Sequence, residues 1–162
     1  MNNSSIRLDG KKVLITGVSR PIGIGATLAK RFAEAGASVA VHGFSDFDLS
    51  TNHLSSIPNG TEVVAKQLSD LGLSVTAITP SDLEVKGNAE KVVEEAAERL
   101  NGLDGMILNH AYGVYAKIED WTAEHIDSHL LVNVRAAMLM IQAFAKQVDS
   151  AKDNAITLFT SG

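Results

Sequence analysis

The stretch Thr16-Gly17-Val18-Ser19-Arg20-Pro21-Ile22-Gly23-Ile24-Gly25 carries the most chemical potential in the chain. It follows the compact apolar run Lys12–Thr16 (KVLIT) and opens Gly23–Ala35, where Ile24, Leu28, Ala29 and Phe32 recur at helical spacing before Gly36 gives a stop. A strand that turns through glycines into a helix suits a pyrophosphate. Gly17 permits the tight turn, Gly23 lets the backbone approach phosphate oxygens, and Gly25 lets the helix pack close to the sheet. The helix start adds free N–H groups and the positive end of its dipole. Ser19, Arg20 and Ile24 belong to the same loop. No Gly-Lys-Ser/Thr follows, so this is not a P-loop. A purely structural turn is the competing role, and the position between first strand and first helix favours dinucleotide binding.

The elements around the loop alternate. Ser38–His42 (SVAVH), Ser74–Thr79, Gly105–Asn109 and Asn154–Thr160 read as further strands. Thr61–Leu71, with Thr61 as N-cap, Lys86–Leu100 and a long stretch Thr122–Asp149 read as helices, while Gly43–Gly60 has no period. Continuous apolar strands separated by helices predict an α/β fold, a doubly wound parallel (Rossmann) sheet of about five strands in one domain over residues 1–162.

Composition narrows the partners. The net charge of −5 argues against nucleic acid and anionic membranes, which reward clustered Lys and Arg. Cysteine is absent, which excludes a disulfide frame and thiolate chemistry. The polar N-terminus lacks a secretory apolar core, and no apolar run reaches the ~18 residues of a membrane helix. These features predict a soluble cytoplasmic protein.

Four further positions extend the glycine pattern. Asp82-Leu83 follows the third apolar run, and Asn109-His110-Ala111-Tyr112 closes the fourth. Asn133 sits between Val132 and Val134 in the long helix, and Thr160-Ser161-Gly162 follows the fifth run. In this order they resemble the short-chain dehydrogenases/reductases, and within them the ketoacyl-carrier-protein-reductase-like members. The family's Thr-Gly-x-x-x-Gly-x-Gly is matched by Thr16-Gly17 and Gly23-Ile24-Gly25, with Pro21-Ile22 as a two-residue insertion.

The resemblance implies roles. Asp82, with Leu83 beside it, accepts from the adenine amino group. Asn109 and Ala111 line the cofactor ribose. Asn133 holds a helix kink and a proton-relay water, and Ser161 polarises the substrate carbonyl. Plainer roles compete: Asp82 as a helix N-cap, Asn133 as a core amide bonded to backbone, Ser161 as a strand-end hydroxyl. His110 and Tyr112 depart from the family's Asn-Asn-Ala-Gly, and His110 reads as structural.

An acid at the end of the second strand would bind the ribose 2′-hydroxyl of NAD, whereas basic or neutral residues admit the 2′-phosphate of NADP. Gly43 stands at the acid's place, and Arg20 stands where NADP-preferring members often carry a base. His42 and the hydroxyl-rich segment after it add donors. The balance favours NADP over NAD, with Asp46 and Asp48 near enough to turn toward a ribose.

The family's chemistry is hydride transfer, with a Tyr as general acid/base and a Lys four residues on lowering its pKa. Here Tyr112 and Tyr115 have Ala116 and Glu119 at that place. The resemblance puts the Tyr-x-x-x-Lys about a dozen residues past Ser161, so the chain reads as C-terminally truncated and supports cofactor binding better than catalysis. Its expected partners are a small carbonyl or alcohol substrate and, from the apolar long helix and the edge at Ala155–Phe159, a second copy of itself. The competing reading is a non-enzymatic nucleotide-binding module or pseudoenzyme fragment.

Overall fold

The computed structural model describes residues 6–51, 53–149 and 151–160. Its elements are β1 (Lys12–Thr16), α1 (Ile24–Glu34), β2 (Ser38–His42), α2 (Ser45–Ser50), α3 (Gly60–Asp70), β3 (Val75–Ala77), α4 (Asn88–Leu100), β4 (Gly105–Leu108), α5 (Ala123–Leu130), a π-helical segment (Leu131–Ala136), α6 (Ala137–Gln147) and β5 (Ala155–Leu158). The strands form one parallel sheet in the order β3-β2-β1-β4-β5.

Side-chain alternation divides the core. Val13 and Ile15, with Val39, Val41 and Ile107, face α1 and α3, whose Ala26, Ala29, Ala33, Val64 and Leu68 pack on them. Leu14, which pairs with Ala40 on one side and Met106 on the other, faces α4 and α6. Both faces are covered, which is why the strand runs are apolar without a polar alternate. From β1 the chain winds outward through β2 and β3, then returns through α4 to β4 on the other side of β1. That reversal opens a crevice at the C-terminal ends of β1 and β4.

The structure corrects several local expectations. α3 starts at Gly60 with Asn59 as N-cap, and Thr61 is buried with its hydroxyl unpartnered. α4 starts at Asn88 behind Gly87, so Asp82 is not its N-cap. The period-free segment after β2 contains the six-residue α2. The third to fifth strands are shorter than their apolar runs. The long helix is interrupted by the π segment around Asn133.

The apolar runs are individually too short for a membrane span. The continuous rod Ala123–Gln147, however, is long and apolar enough to cross one by length and composition alone. Its inner side, Ala136, Ala137, Met140 and Phe144, is buried in the domain core beside α4, as core helices are.

Candidate functional site: a crevice at the strand ends

Thr16, the last residue of β1, organises the crevice. Its Oγ1 accepts from the backbone N–H of Asn109 (3.1 Å) and of His110 (3.3 Å) and lies 2.7 Å from His110 Nδ1. Asn109 returns the link: its Nδ2 donates to the carbonyls of Thr16 (3.2 Å) and Gly17 (3.1 Å). The ends of β1 and β4 are thus stitched together beyond their ladder.

The glycine loop follows from this stitch. Gly17 has φ +72, and a Cβ there would lie 2.7 Å from the Asn109 carbonyl oxygen. A Cβ at Gly25 would collide with the Gly17 carbonyl, so α1 packs as close to the strand turn as backbone allows. Gly23 is the N-cap of α1, and no side chain caps the helix. Its first N–H groups therefore remain available to an acceptor. Among the described residues, a Cβ at Gly23 would meet, beyond its chain neighbours, Arg20 atoms at 3.5 Å and farther, so the approach is open. Ile24 and the inserted Ile22 are exposed, and the insertion projects outward rather than into the crevice.

Gly17, Ser19, Asp82, Leu83 and Ala111 line the crevice, whereas Arg20, Gly23, Ile24, Gly25 and Asn109 are not among its lining residues. Asp82 sits in a turn, its Oδ1 accepting from the Glu84 N–H at 2.8 Å. Arg20 is held beside the loop, with Nη1 2.7 Å from His53 Nδ1 and Nε 3.9 Å from Asp48 Oδ1. Asp46 is exposed, whereas Asp48 is buried and accepts from Ser19 Oγ. Ser161 lies outside the described residues.

Asn133 stands behind the crevice. Its Oδ1 accepts from the Tyr112 N–H (2.8 Å) and its Nδ2 donates to the Tyr112 carbonyl (2.9 Å). One amide thus satisfies both polar groups of one residue, which supports the kink-holding role and the backbone-bonding role together. The π segment turns Asn133 toward this loop. The rod is also tied to the segment after β3: Ser128 Oγ donates to Glu84 Oε2 (3.1 Å), and Arg135 donates to the Glu84 carbonyl.

Phe44, Phe47, Glu84 and Val132 line the crevice without having been singled out in the sequence. Phe47 meets Tyr112 with ring centroids 4.9 Å apart, so the segments after β2 and β4 touch across it. Tyr112 continues edge-on to His129, which stacks on Trp121. No periodicity marks these contacts; the aromatic at the place of the family's glycine is the only signal.

Two crevice histidines are neutral. Burial lowers His42 to a pKa of about 4, with His110 adding repulsion. Burial also lowers His110 to about 4. His110 Nε2 is 3.3 Å from the Val132 carbonyl, which can only accept. The proton therefore sits on Nε2, and Nδ1 accepts from Thr16. A ring bonded at both nitrogens and neutral near pH 7 is a structural strut.

Known proteins are similar to this chain in sequence and fold. A glucose 1-dehydrogenase of Gluconobacter oxydans (strain 621H) is 32% identical over 133 residues, 82% of this chain and 45% of that protein. A sorbitol dehydrogenase of Cereibacter sphaeroides is 30% identical over 141 residues, 87% of this chain and 48% of that one. A short chain dehydrogenase from Burkholderia cenocepacia J2315, solved in complex with NADP, superposes with a TM-score of 0.76 at 32% identity, covering 94% of this chain and 56% of that one. A 3-oxoacyl (acyl-carrier-protein) reductase from Agrobacterium tumefaciens C58, with NADP bound, gives a TM-score of 0.79 at 25% identity, covering 98% and 55%. The chain spans about half the length of these relatives. The short chain dehydrogenase profile matches residues 11–162. With the glycine turn, the Asn109 stitch and the Asn133 clasp on one parallel sheet, the chain belongs to the short chain dehydrogenase family.

Proposed function

We propose that this chain is the dinucleotide-binding part of an NAD(P)-dependent oxidoreductase acting on a small carbonyl or alcohol. The observation that carries the reading is the uncapped start of α1, set behind a glycine turn too tight for side chains, whose Gly17 and Ser19 line the crevice. Bound NAD(P) supplies the hydride donor or acceptor at its nicotinamide ring.

The chain's own residues hold and orient. Gly17, Gly23, Gly25 and the first N–H groups of α1 take the pyrophosphate, with Ile24 beside them. Asp82 and Leu83 meet the adenine, and Asn109 and Ala111 line the ribose. Ser19 and Arg20 reach the adenosine ribose, and Arg20 favours NADP over NAD. Asn133 positions the Tyr112 backbone, and Ser161 polarises a substrate carbonyl. The cysteine-free composition and the core-packed rod support a soluble cytoplasmic setting. The exposed apolar stripe on the rod, Ile126, Leu130, Val134 and Met138, supports self-association.

Titration with NADPH and NADH, followed by nicotinamide fluorescence, tests the reading. Saturable binding of at least one, with Kd below about 1 mM, is expected. No binding of either at millimolar concentration would overturn it.

One observation favours a second reading, a nucleotide-binding module without turnover. Neither tyrosine has a Lys at the fourth place on, and the two buried histidines are neutral. Oxidation of NADPH in the presence of simple aldehydes and ketones separates the two: binding without consumption supports the module.

A further inference from the structure

We propose that Phe47 and Tyr112 form an aromatic gate over the glycine turn, which a dinucleotide must part to reach it. This rests on the dinucleotide-binding reading above.

Topology puts the pair in the way. In the sheet β1 lies between β2 and β4. The three strands run parallel, so the segments after β2 and β4 leave the sheet at the same end as the glycine turn. Phe47 belongs to α2, after β2, and Tyr112 follows β4. Their ring centroids are 4.9 Å apart at an interplanar angle of 39°. A contact between the neighbours of β1 on either side has to span the end of β1. Gly17 and Ser19 line the same crevice as the two rings. The space enclosed there is about 100 Å³, whereas small-molecule sites run from roughly 300 to 1,000 Å³. A dinucleotide that reaches the glycine turn has to widen the crevice, and the ring pair is what bridges it.

The backbone is held on both sides, so the movable parts are the rings. Asn133 clasps the Tyr112 N–H and carbonyl. Next to Phe47, the Asp48 carboxylate accepts from Ser19 Oγ and the Asp48 carbonyl accepts from the His53 N–H (2.9 Å). None of these bonds uses a ring. Phe47 and Tyr112 are both half-buried, and partly exposed side chains change rotamer without unfolding. The contact between the rings, with the edge-on contact of Tyr112 to His129 at 4.8 Å, favours the bridged arrangement. Aromatic pairs of this kind are weak enough for a ligand to separate. The gate thus lowers the fraction of the chain that is ready to bind, and with it the association rate.

The test is the association rate of NADPH and of NADH with the whole 162-residue chain, followed by nicotinamide fluorescence in stopped flow. The wild type is compared with Phe47→Ala, Tyr112→Ala and the double variant. Each single variant should associate at least about threefold faster. The double variant should be no faster than the faster single, because loss of either ring already opens the gate. Unchanged or slower association in folded variants overturns the proposal, as do gains that multiply in the double variant. The absence of cysteine allows a second measurement. Phe47→Cys with Tyr112→Cys, bridged by a short bis-thiol linker, should associate at least about tenfold more slowly than the same chain capped at both thiols by a monofunctional reagent. Equal rates overturn the proposal, and this comparison decides where the alanine variants fail to fold. A wild type that binds neither cofactor fails the underlying reading as well. A wild type that binds, with rates that neither the variants nor the bridge move, fails this inference alone.

Discussion

At the scale of single residues, the crevice trades titratable chemistry for burial. His42 and His110 both have folded pKa values of about 4, below the ~6.5 of an exposed imidazole. The unfolded chain therefore takes up protons first as the pH falls. Stability is full above the unfolded pKa and is lost progressively between about pH 6.5 and pH 4. From about pH 7 to about pH 5, above the carboxylate range, the loss should be up to about 2 kcal/mol per histidine. Urea midpoints across that range check this, and His110→Asn should flatten the slope. A midpoint that does not move would contradict the buried neutral rings. The sequence showed the glycines, Asp82, Asn109 and Asn133 because each has a spacing or neighbour that marks it. It did not show Thr16 as the hub, because a threonine ending a strand has no signature until β4 lies beside it. Phe47 gained meaning only when α2 was folded against the segment after β4.

At the scale of elements, the parallel sheet and most helix bodies were legible because burial on both faces leaves continuous apolar runs. The misplaced helix starts share a cause. Hydroxyl and acid residues resemble caps in sequence, whereas Asn59 and Gly87 take those positions with left-handed backbones and no side-chain bond. The break in the rod was invisible to periodicity, since apolar residues continue through it. Asn133 is the exposed polar residue that the π segment presents. Asn133→Ala removes two bonds to the Tyr112 backbone and should cost about 1 kcal/mol, given their exposure. Hydrogen exchange at the Tyr112 amide should accelerate. Asn133→Asp, which keeps the Oδ1 acceptor, should preserve much of that protection. Unchanged exchange in the alanine variant would show that the clasp is not holding the loop.

At the scale of the whole molecule, one side of the rod is packed and the other is open. Ile126, Leu130, Val134 and Met138 recur every fourth residue and are each between 45% and 66% exposed. The outer strand β5, at the sheet edge, is largely exposed as well. Sedimentation of the chain should show self-association, and Leu130→Lys with Met138→Lys should weaken it at least about tenfold by placing charge in a desolvated contact. A monomer at high micromolar concentration would exclude the stripe as a contact surface.

The π segment also has a meaning in chain length. A π turn holds about one residue more than an α turn of the same rise. Deleting a residue inside Leu131–Ala136 would let the rod close up as plain α-helix, with Met140 and Phe144 still facing α4. Deleting one in α5 instead would rotate everything beyond it by about 100° and carry those side chains out of the core. The rod thus holds spare length beside the crevice, where the extra residue presents Asn133 to the loop.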